Sequence, residues 1–276
     1  MSVGKIYAFM LEKHTSSRGW HNRDAHKPND TIDVPVLAFL IQCSDGNILY
    51  DTGSSRRLRE NLSEYSNRLG HEINISFDGT SDILGCLDKV GVKDLSHLVI
   101  SHFHFDHAGY ADEIIKKYGS QVIFHKDELE AMKNPGKQRG VYFERELMCF
   151  DQLSGIGEDT ELAYGVWAHH LPGHTPGHIG LLFSDLKLIF CGDSVFVPEN
   201  LKGHLPDDKM VWDEKKYNMT VESLKEMQEG GKHNIIMSHD PRYLSQPDKF
   251  LELFNGKGNI VVKPEENLHY MVVDYL

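Results

Sequence analysis

Residues 102–107 read His-Phe-His-Phe-Asp-His, so three imidazoles and a carboxylate lie within six residues. Neutral imidazole nitrogens and carboxylate oxygens are ligands that suit zinc, iron, manganese or cobalt. In an extended segment, His102, His104 and Asp106 would point to one side and His107 would point away. One loop could then serve two neighbouring metals. A histidine-rich surface loop is the simpler alternative in a chain with 17 histidines, but the density of ligands favours a metal site.

Three more candidate ligands follow short apolar segments. His174 lies in residues 172–178, Pro-Gly-His-Thr-Pro-Gly-His, Asp193 lies in Gly-Asp-Ser, and His239 follows the apolar residues 235–237. Taken alone, each could be a hydrogen-bonded loop or turn residue. Because each follows a predicted buried strand, a layered sheet would gather all three at one edge.

Apolar periodicity predicts alternating strands and helices, which favours layers of sheet and helix. Strands are predicted at 36–42, 48–51, 98–100, 121–125, 165–171, 179–183, 188–191 and 235–237, and helices at 81–90, 110–118 and 213–229. The first two strands flank Asp-Gly, a hairpin signal, and each predicted helix is followed by glycine. Residues 134–159 lack periodicity and contain several glycines, which predicts a long loop or lid.

Composition and charge narrow the class of protein. The chain has 276 residues, of which 40% are hydrophobic and 25% charged, as in ordinary globular proteins. Its net charge of −12 disfavours a nucleic-acid partner. Because the beginning has no signal-peptide pattern and no apolar run reaches about 18 residues, we expect a cytoplasmic, soluble protein without a membrane partner. The scattered cysteines imply no disulfide framework.

The ordered ligand set resembles the motif set of the metallo-β-lactamase superfamily over about residues 36–240. That resemblance implies an α/β fold, a four-layer αββα sandwich with a dinuclear metal site at the sheet edge. It also implies a single domain, residues 1–276, built of two similar halves at about 1–160 and 161–276. Two divalent ions are expected, with zinc preferred and iron, manganese or cobalt as alternatives.

The resemblance also assigns the ligands by position. His102, His104 and His174 would bind the first metal. Asp106, His107 and His239 would bind the second, and Asp193 would bridge the two.

Within the superfamily, residues 101–109 and 174–178 look most like the N-acyl homoserine lactone lactonases. This implies a metallo-hydrolase, a quorum-quenching lactonase, in which a metal-bridging hydroxide opens the lactone. Asp106 would be the catalytic residue that accepts or relays the proton, and Phe105 would line the acyl pocket.

Phe196 departs from that pattern, because the lactonases carry a tyrosine three residues after the bridging aspartate. Phenylalanine cannot donate a hydrogen bond. Either the metals act alone, or a group such as Tyr217 or His204 replaces the hydroxyl, or the substrate differs. Phe196 is in any case expected at the substrate. Asp51, in Asp-Thr-Gly, either orients a ligand imidazole from behind or closes a turn.

Two other functions remain open at the same residues. Hydrolysis of a thioester or phosphoester would use the same metals, since the nucleophile does not choose the electrophile. A non-catalytic metal-binding scaffold is the alternative from another class. The expected partner is a small-molecule substrate, and the sequence is compatible with a homodimer.

Overall fold

Thirteen strands in the described residues form two sheets. The computed structural model describes residues 3–25, 30–63, 73–77, 81–254, 261–265 and 268–275. The strands are β1 (Val3–Ser17), β2 (Thr31–Cys43), β3 (Gly46–Tyr50), β4 (Ile73–Ser76), β5 (His97–Val99), β6 (Gln121–Ile123), β7 (Thr160–Ala163), β8 (Val166–His170), β9 (Ile179–Phe183), β10 (Leu188–Gly192), β11 (Asn234–Met237), β12 (Val261–Glu265) and β13 (Leu268–Asp274).

Both sheets are mixed. The first has eight strands in the order β12-β13-β1-β2-β3-β5-β6, with β4 paired to β1. Its β3, β5 and β6 are parallel. The second has five strands in the order β11-β10-β9-β8-β7, and β10 and β11 are parallel.

Ten α-helices in the described residues flank the sheets. They are α1 (Arg18–His21), α2 (Arg56–Glu60), α3 (Ile83–Lys89), α4 (Phe105–Ala108), α5 (Ala111–Tyr118), α6 (Asp127–Lys133), α7 (Glu144–Leu147), α8 (Glu214–Gln228), α9 (Arg242–Ser245) and α10 (Pro247–Glu252). No helix among the described residues combines the length and the apolar character needed to cross a bilayer.

The core is layered because strand side chains alternate between two buried faces. In β2, Phe39 packs between the sheets, where its ring centroid lies 4.4 Å from that of Phe190, whereas Leu40 belongs to the outer core. That outer core contains Ile114 of α5, and Leu224 of α8 packs outside the second sheet. The expected αββα sandwich is therefore confirmed.

Two of the larger differences from the sequence-based predictions concern the first sheet and residues 134–159. The 15-residue strand β1 and the β12–β13 hairpin were not predicted, although both belong to the first sheet. The prediction of a long loop at residues 134–159 was wrong in part, because this segment contains α7 and two 3₁₀ turns. It also buries Tyr142 and Phe150 in the outer core.

Candidate metal centre

Strand β5 delivers the segment 102–107 to the edge of the first sheet. The backbone is extended at His104, with φ −70° and ψ 155°, and α4 begins at the next residue. The predicted geometry is therefore wrong beyond His104. Because Asp106 and His107 lie on a helical turn, His107 does not point away, and its ring centroid lies 4.2 Å from that of His102.

The other candidate ligands come from the second sheet. Strands β8, β10 and β11 run in one direction, so their carboxyl ends meet at one edge. His174, Asp193 and His239 follow these three strands in turn. As the sequence predicted, the structure brings all three side chains together beside the segment 102–107.

Two glycines allow the close packing of these loops. Gly173 has φ +137°, and a Cβ there would lie 2.3 Å from the backbone nitrogen of Tyr217. Gly192 has φ +51°, and a Cβ there would lie 2.6 Å from His178 Nε2. Both positions require a residue without a side chain, so glycine precedes His174 and Asp193 for a steric reason.

Three imidazoles form the first group of candidate ligands. His174 Nε2 lies 3.1 Å from both His102 Nε2 and His104 Nδ1. All three rings are buried. Burial lowers the pKa of each below the usual histidine value, which favours the neutral imidazole that a metal requires.

The second group joins a carboxylate to two imidazoles. Asp106 Oδ1 lies 3.8 Å from His107 Nε2, and Asp106 Oδ2 lies 3.6 Å from His239 Nε2. Although burial alone would lower the pKa of both histidines, Asp193 and Asp106 raise it. The two groups therefore differ in their electrostatics, because the carboxylates outweigh burial at His107 and His239 but not at the three imidazoles of the first group.

Asp193 lies between the two groups. Its Oδ2 is 3.6 Å from His174 Nε2, and its Oδ1 is 3.4 Å from His107 Nε2 and 3.3 Å from His239 Nε2. Burial alone would raise the pKa of Asp193, but His239 and His107 hold it well below the usual range. Each carboxylate oxygen thus faces a different group of imidazoles.

Two buried polar atoms give a further reason to expect metal ions at this site. His107 Nε2 and Asp193 Oδ1 are buried and have no hydrogen-bond partner among the described residues. Unpaired buried polar atoms are rare and costly in folded proteins. A cation between them would satisfy both, so the donor set is suited to metal binding.

Hydrogen bonds to Nδ1 orient two of the candidate ligand imidazoles. His174 Nδ1 lies 2.6 Å from the carbonyl oxygen of Met210, and His239 Nδ1 lies 2.8 Å from that of Pro35. A carbonyl oxygen only accepts hydrogen bonds, so each Nδ1 donates one. The lone pair of each Nε2 is then free to face the site.

Asp51 acts on His107 in the same way. Its Oδ2 lies 2.8 Å from His107 Nδ1, and its Oδ1 accepts a 2.7 Å hydrogen bond from the Ser101 amide. Its φ of +61° is unusual for a residue with a side chain and accompanies this placement. Of the two interpretations offered for Asp51, this geometry supports orientation of a ligand imidazole.

Glu128, which was not predicted from the sequence, is a fully buried carboxylate that joins the two loops carrying candidate ligands. It accepts hydrogen bonds from the Phe103 amide at 3.0 Å and the Gly177 amide at 2.9 Å. Tyr142 and Thr175 donate to it through their hydroxyls. Burial raises the pKa of Glu128 to about 7 against these four donors. Its only signal in the sequence is a glutamate on the apolar side of α6.

A pocket opens above the two groups. The lining residues are His14, Ser16, His21, Val34, His104, Phe105, Asp106, Val141, Asp193, Phe196, Met210 and His239. Phe105 and Phe196, which were expected at the substrate, both line this pocket. The Phe196 ring centroid is 5.1 Å from that of His174 and 6.2 Å from that of His239.

Neither suggested replacement for the missing tyrosine lines this pocket. His204 is partly exposed and its Nδ1 lies 3.2 Å from Asp24 Oδ2, and Tyr217 packs in the core beneath α8. Three other pocket residues, His14 and Ser16 of β1 and His21 of α1, were not predicted from the sequence. The polar residues at the end of β1 show no apolar alternation that would predict a strand.

The chain resembles proteins of known activity. It is 29% identical to an N-acyl homoserine lactonase of Bacillus cereus over 87% of this chain and 94% of the relative. It is 26% identical to N-acyl homoserine lactonase AiiB of Agrobacterium fabrum (strain C58), over 76% of this chain and 80% of the relative.

A solved structure extends the likeness to the fold. An N-acyl homoserine lactone hydrolase, with the product N-hexanoyl-L-homoserine bound at its catalytic metal centre, superposes with a TM-score of 0.76 at 25% identity. The match covers 90% of this chain and 97% of that one. The family model of the metallo-beta-lactamase superfamily matches residues 31–239, a span that contains every candidate ligand described above. The chain belongs to the metallo-β-lactamase superfamily.

Proposed function

We propose that this chain is a metal-dependent lactonase that opens N-acyl homoserine lactones or related lactones. The observation that carries the proposal is the position of Asp193, with one oxygen toward His174 and the other toward His107 and His239. That arrangement suits two cations sharing one carboxylate. The lactonase relatives, which match most of the chain, favour a lactone as the substrate.

Seven residues would hold the two ions, for which we propose zinc. They are His102, His104 and His174 for one ion, Asp106, His107 and His239 for the other, and Asp193 for both. When bound, the ions would supply a hydroxide at neutral pH and polarise the lactone carbonyl.

The surrounding residues have separate proposed roles. Asp106 is the carboxylate able to hold the proton released during attack, because it lies between His107 and His239 at the pocket floor. Phe105 and Phe196 offer apolar walls for an acyl chain. Asp51 would keep the His107 ring in position.

We also propose a small-molecule substrate, a cytoplasmic location, and no nucleic-acid or membrane partner. A homodimer is compatible with the sequence. All of these properties stay predictions. The net charge of −12 supports the exclusion of nucleic acid.

A second candidate function is hydrolysis of a thioester or phosphoester. Phe196 is the reason, because it lacks the tyrosine hydroxyl found at this position in the lactonases. A substrate panel separates the candidates. Metal-loaded protein is assayed against N-hexanoyl homoserine lactone, an acyl thioester and a phosphodiester, with chelator-treated protein as the control. We expect the highest kcat/KM for the lactone. A higher value for either of the other esters would replace the lactonase proposal.

A further inference from the structure

Strand β1 brings a row of polar side chains to the pocket. Glu12, His14 and Ser16 alternate along the strand after a register shift between Met10 and Glu12. Each is at least 96% buried, and both His14 and Ser16 line the pocket. Burial of such groups costs free energy unless they are hydrogen-bonded, so each polar atom in the row needs a partner.

Glu12 provides that partner for one side of His14. Its carboxylate accepts hydrogen bonds from the amide of Ser54 at 2.7 Å and from the hydroxyl of Ser54 at 2.6 Å. His14 Nε2 lies 3.1 Å from Glu12 Oε2. Although burial alone would raise the pKa of Glu12, the hydrogen bond from His14, the charge of Arg59 and the hydrogen bond from Ser54 hold it below its usual value. An ionised carboxylate only accepts, so His14 Nε2 donates to it.

Among the described residues, no hydrogen bond is made to the other nitrogen of His14. Its Nδ1 lies 3.9 Å from Asp106 Oδ2, beyond hydrogen-bonding distance. Since Asp106 also lines the pocket, this edge of the ring faces the place where a substrate would lie. The ring is held by near-parallel stacking on Phe105 at 6.0 Å and on His239 at 6.3 Å between centroids.

A neutral imidazole that donates through Nε2 presents a lone pair at Nδ1. The facing oxygen of Asp106 is also an acceptor. Two acceptors that face the same space favour a ligand group that donates, such as an N–H. In an N-acyl homoserine lactone, the amide that joins the acyl chain to the ring carries such an N–H.

We propose that His14 is a specificity-determining residue of this chain, whose Nδ1 accepts a hydrogen bond from the amide N–H of an N-acyl lactone. Glu12 is the positioning residue that fixes the His14 ring and its tautomer. This inference rests on the proposed lactonase function and adds the part of the substrate that β1 recognises.

A substrate pair tests the inference. N-hexanoyl homoserine lactone is compared with the ester analogue in which oxygen replaces the amide N–H, and ring opening is followed by NMR. We expect the wild-type chain to prefer the amide by about 3- to 10-fold in kcat/KM, the worth of one neutral hydrogen bond. His14→Phe keeps a ring and removes Nδ1, so its preference should fall to about one.

Two further variants sharpen the result. His14→Asn can place a carboxamide oxygen near the position of Nδ1 and should restore part of the preference. Glu12→Gln can donate to His14 Nε2 and turn Nδ1 into a donor, so the preference should fall while His14 remains. Lys13→Ala is the matched control, because Lys13 is the neighbouring residue and pairs with Asp33 at the surface.

The ratio of the kcat/KM values for the two substrates within one variant does not depend on how much of the protein is folded. Binding of the product N-hexanoyl homoserine, measured by calorimetry, gives a readout independent of turnover. His14→Phe should bind this product about 3- to 10-fold more weakly than wild type. An unchanged amide preference in His14→Phe would overturn the inference and leave the lactonase proposal intact. Loss of bound metal in His14→Phe would overturn it too, because the His14 ring would then serve the metal site rather than the substrate. If wild-type, metal-loaded protein opened neither lactone, both proposals would fail.

Discussion

At the scale of single residues, Asp106 differs from the other carboxylate of the cluster in the neighbours it faces. Asp193 is surrounded by imidazoles on both sides, whereas Asp106 Oδ2 turns toward His239 and His14 at the pocket. Both carboxylates line the pocket, but the side chain of Asp106 is 11% exposed and that of Asp193 is 3% exposed, so a reacting group reaches Asp106 more readily.

Asp106→Asn keeps the shape of this side chain and removes the proton-accepting carboxylate. We expect kcat for lactone opening to fall by at least about 10²-fold even where metal stays bound. Asp112→Asn is the control, since Asp112 lies on the next helix and pairs with Lys116 at the surface. Near-normal turnover in Asp106→Asn, with metal content measured in the same sample, would show that another group handles the proton.

Phe196→Tyr adds a hydroxyl to a ring that already borders His174 and His239. A well-placed donor to a developing oxyanion can raise turnover by up to about 10²-fold. We expect kcat for lactone opening to rise with KM little changed, because the interaction strengthens in the transition state. A loss of activity with metals intact would instead identify Phe196 as an apolar wall that tolerates no polar atom.

His21, which lines the pocket, makes the free energy of unfolding depend on pH. Burial, with a contribution from His239, lowers the pKa of His21 to about 3. Below about pH 6.5 the unfolded chain binds a proton at this residue and the folded chain does not, so the free energy of unfolding falls as pH decreases. The loss amounts to about 1.4 kcal/mol per pH unit between about pH 6.5 and 3.

Urea unfolding of wild type and His21→Gln at pH 7.5 and 5.5 measures this contribution. The wild type should lose more stability on acidification than the variant does, by about 1 to 2 kcal/mol. An equal loss in both proteins would mean that His21 is protonated in the folded state.

At the scale of structural elements, Glu128 connects helix α6 to both ligand loops. Its carboxylate accepts from Phe103, between His102 and His104, and from Gly177, beyond His174. Without these acceptors the two loops would lose a common anchor.

Glu128→Gln replaces one acceptor oxygen with an NH₂ group that would face a donor. We expect metal affinity to fall by about 10- to 100-fold, as for other groups that orient ligands. Glu130→Gln on the same helix is the control, since Glu130 accepts from the exposed Asn134. Competition with a chromogenic chelator measures the affinity of each. Equal affinity in both variants would contradict an anchoring role.

The elements also show what the sequence could predict. Strands such as β9 and β10 are apolar on both faces and end at turn residues, so pattern alone located them. The second half of β1 was missed because its inward side chains are Glu12, His14 and Ser16, which give no apolar alternation. The ligand segment was recognised by residue type, but its helical turn at Phe105–Ala108 depends on packing that no local pattern shows.

At the scale of the whole molecule, the site lies at one edge of the two sheets, which pack face to face. The first sheet contributes the segment after β5, and the second contributes the loops after β8, β10 and β11. We propose that the chain is one domain of two halves divided near residue 160. The change of sheet between β6 and β7 supports that division, and the return of β13 to pair with β1 ties the end of the chain to the first half.

Lactone opening by this chain should depend on bound metal. Chelator-treated protein is reloaded with zero, one or two equivalents of zinc, and both bound metal and the opening of N-hexanoyl homoserine lactone are measured. We expect no opening by the metal-free chain and a maximum rate at about two ions per chain, since the seven ligands divide around one shared carboxylate. Full activity of the metal-free chain, or two bound ions with no lactone opening, would contradict the account.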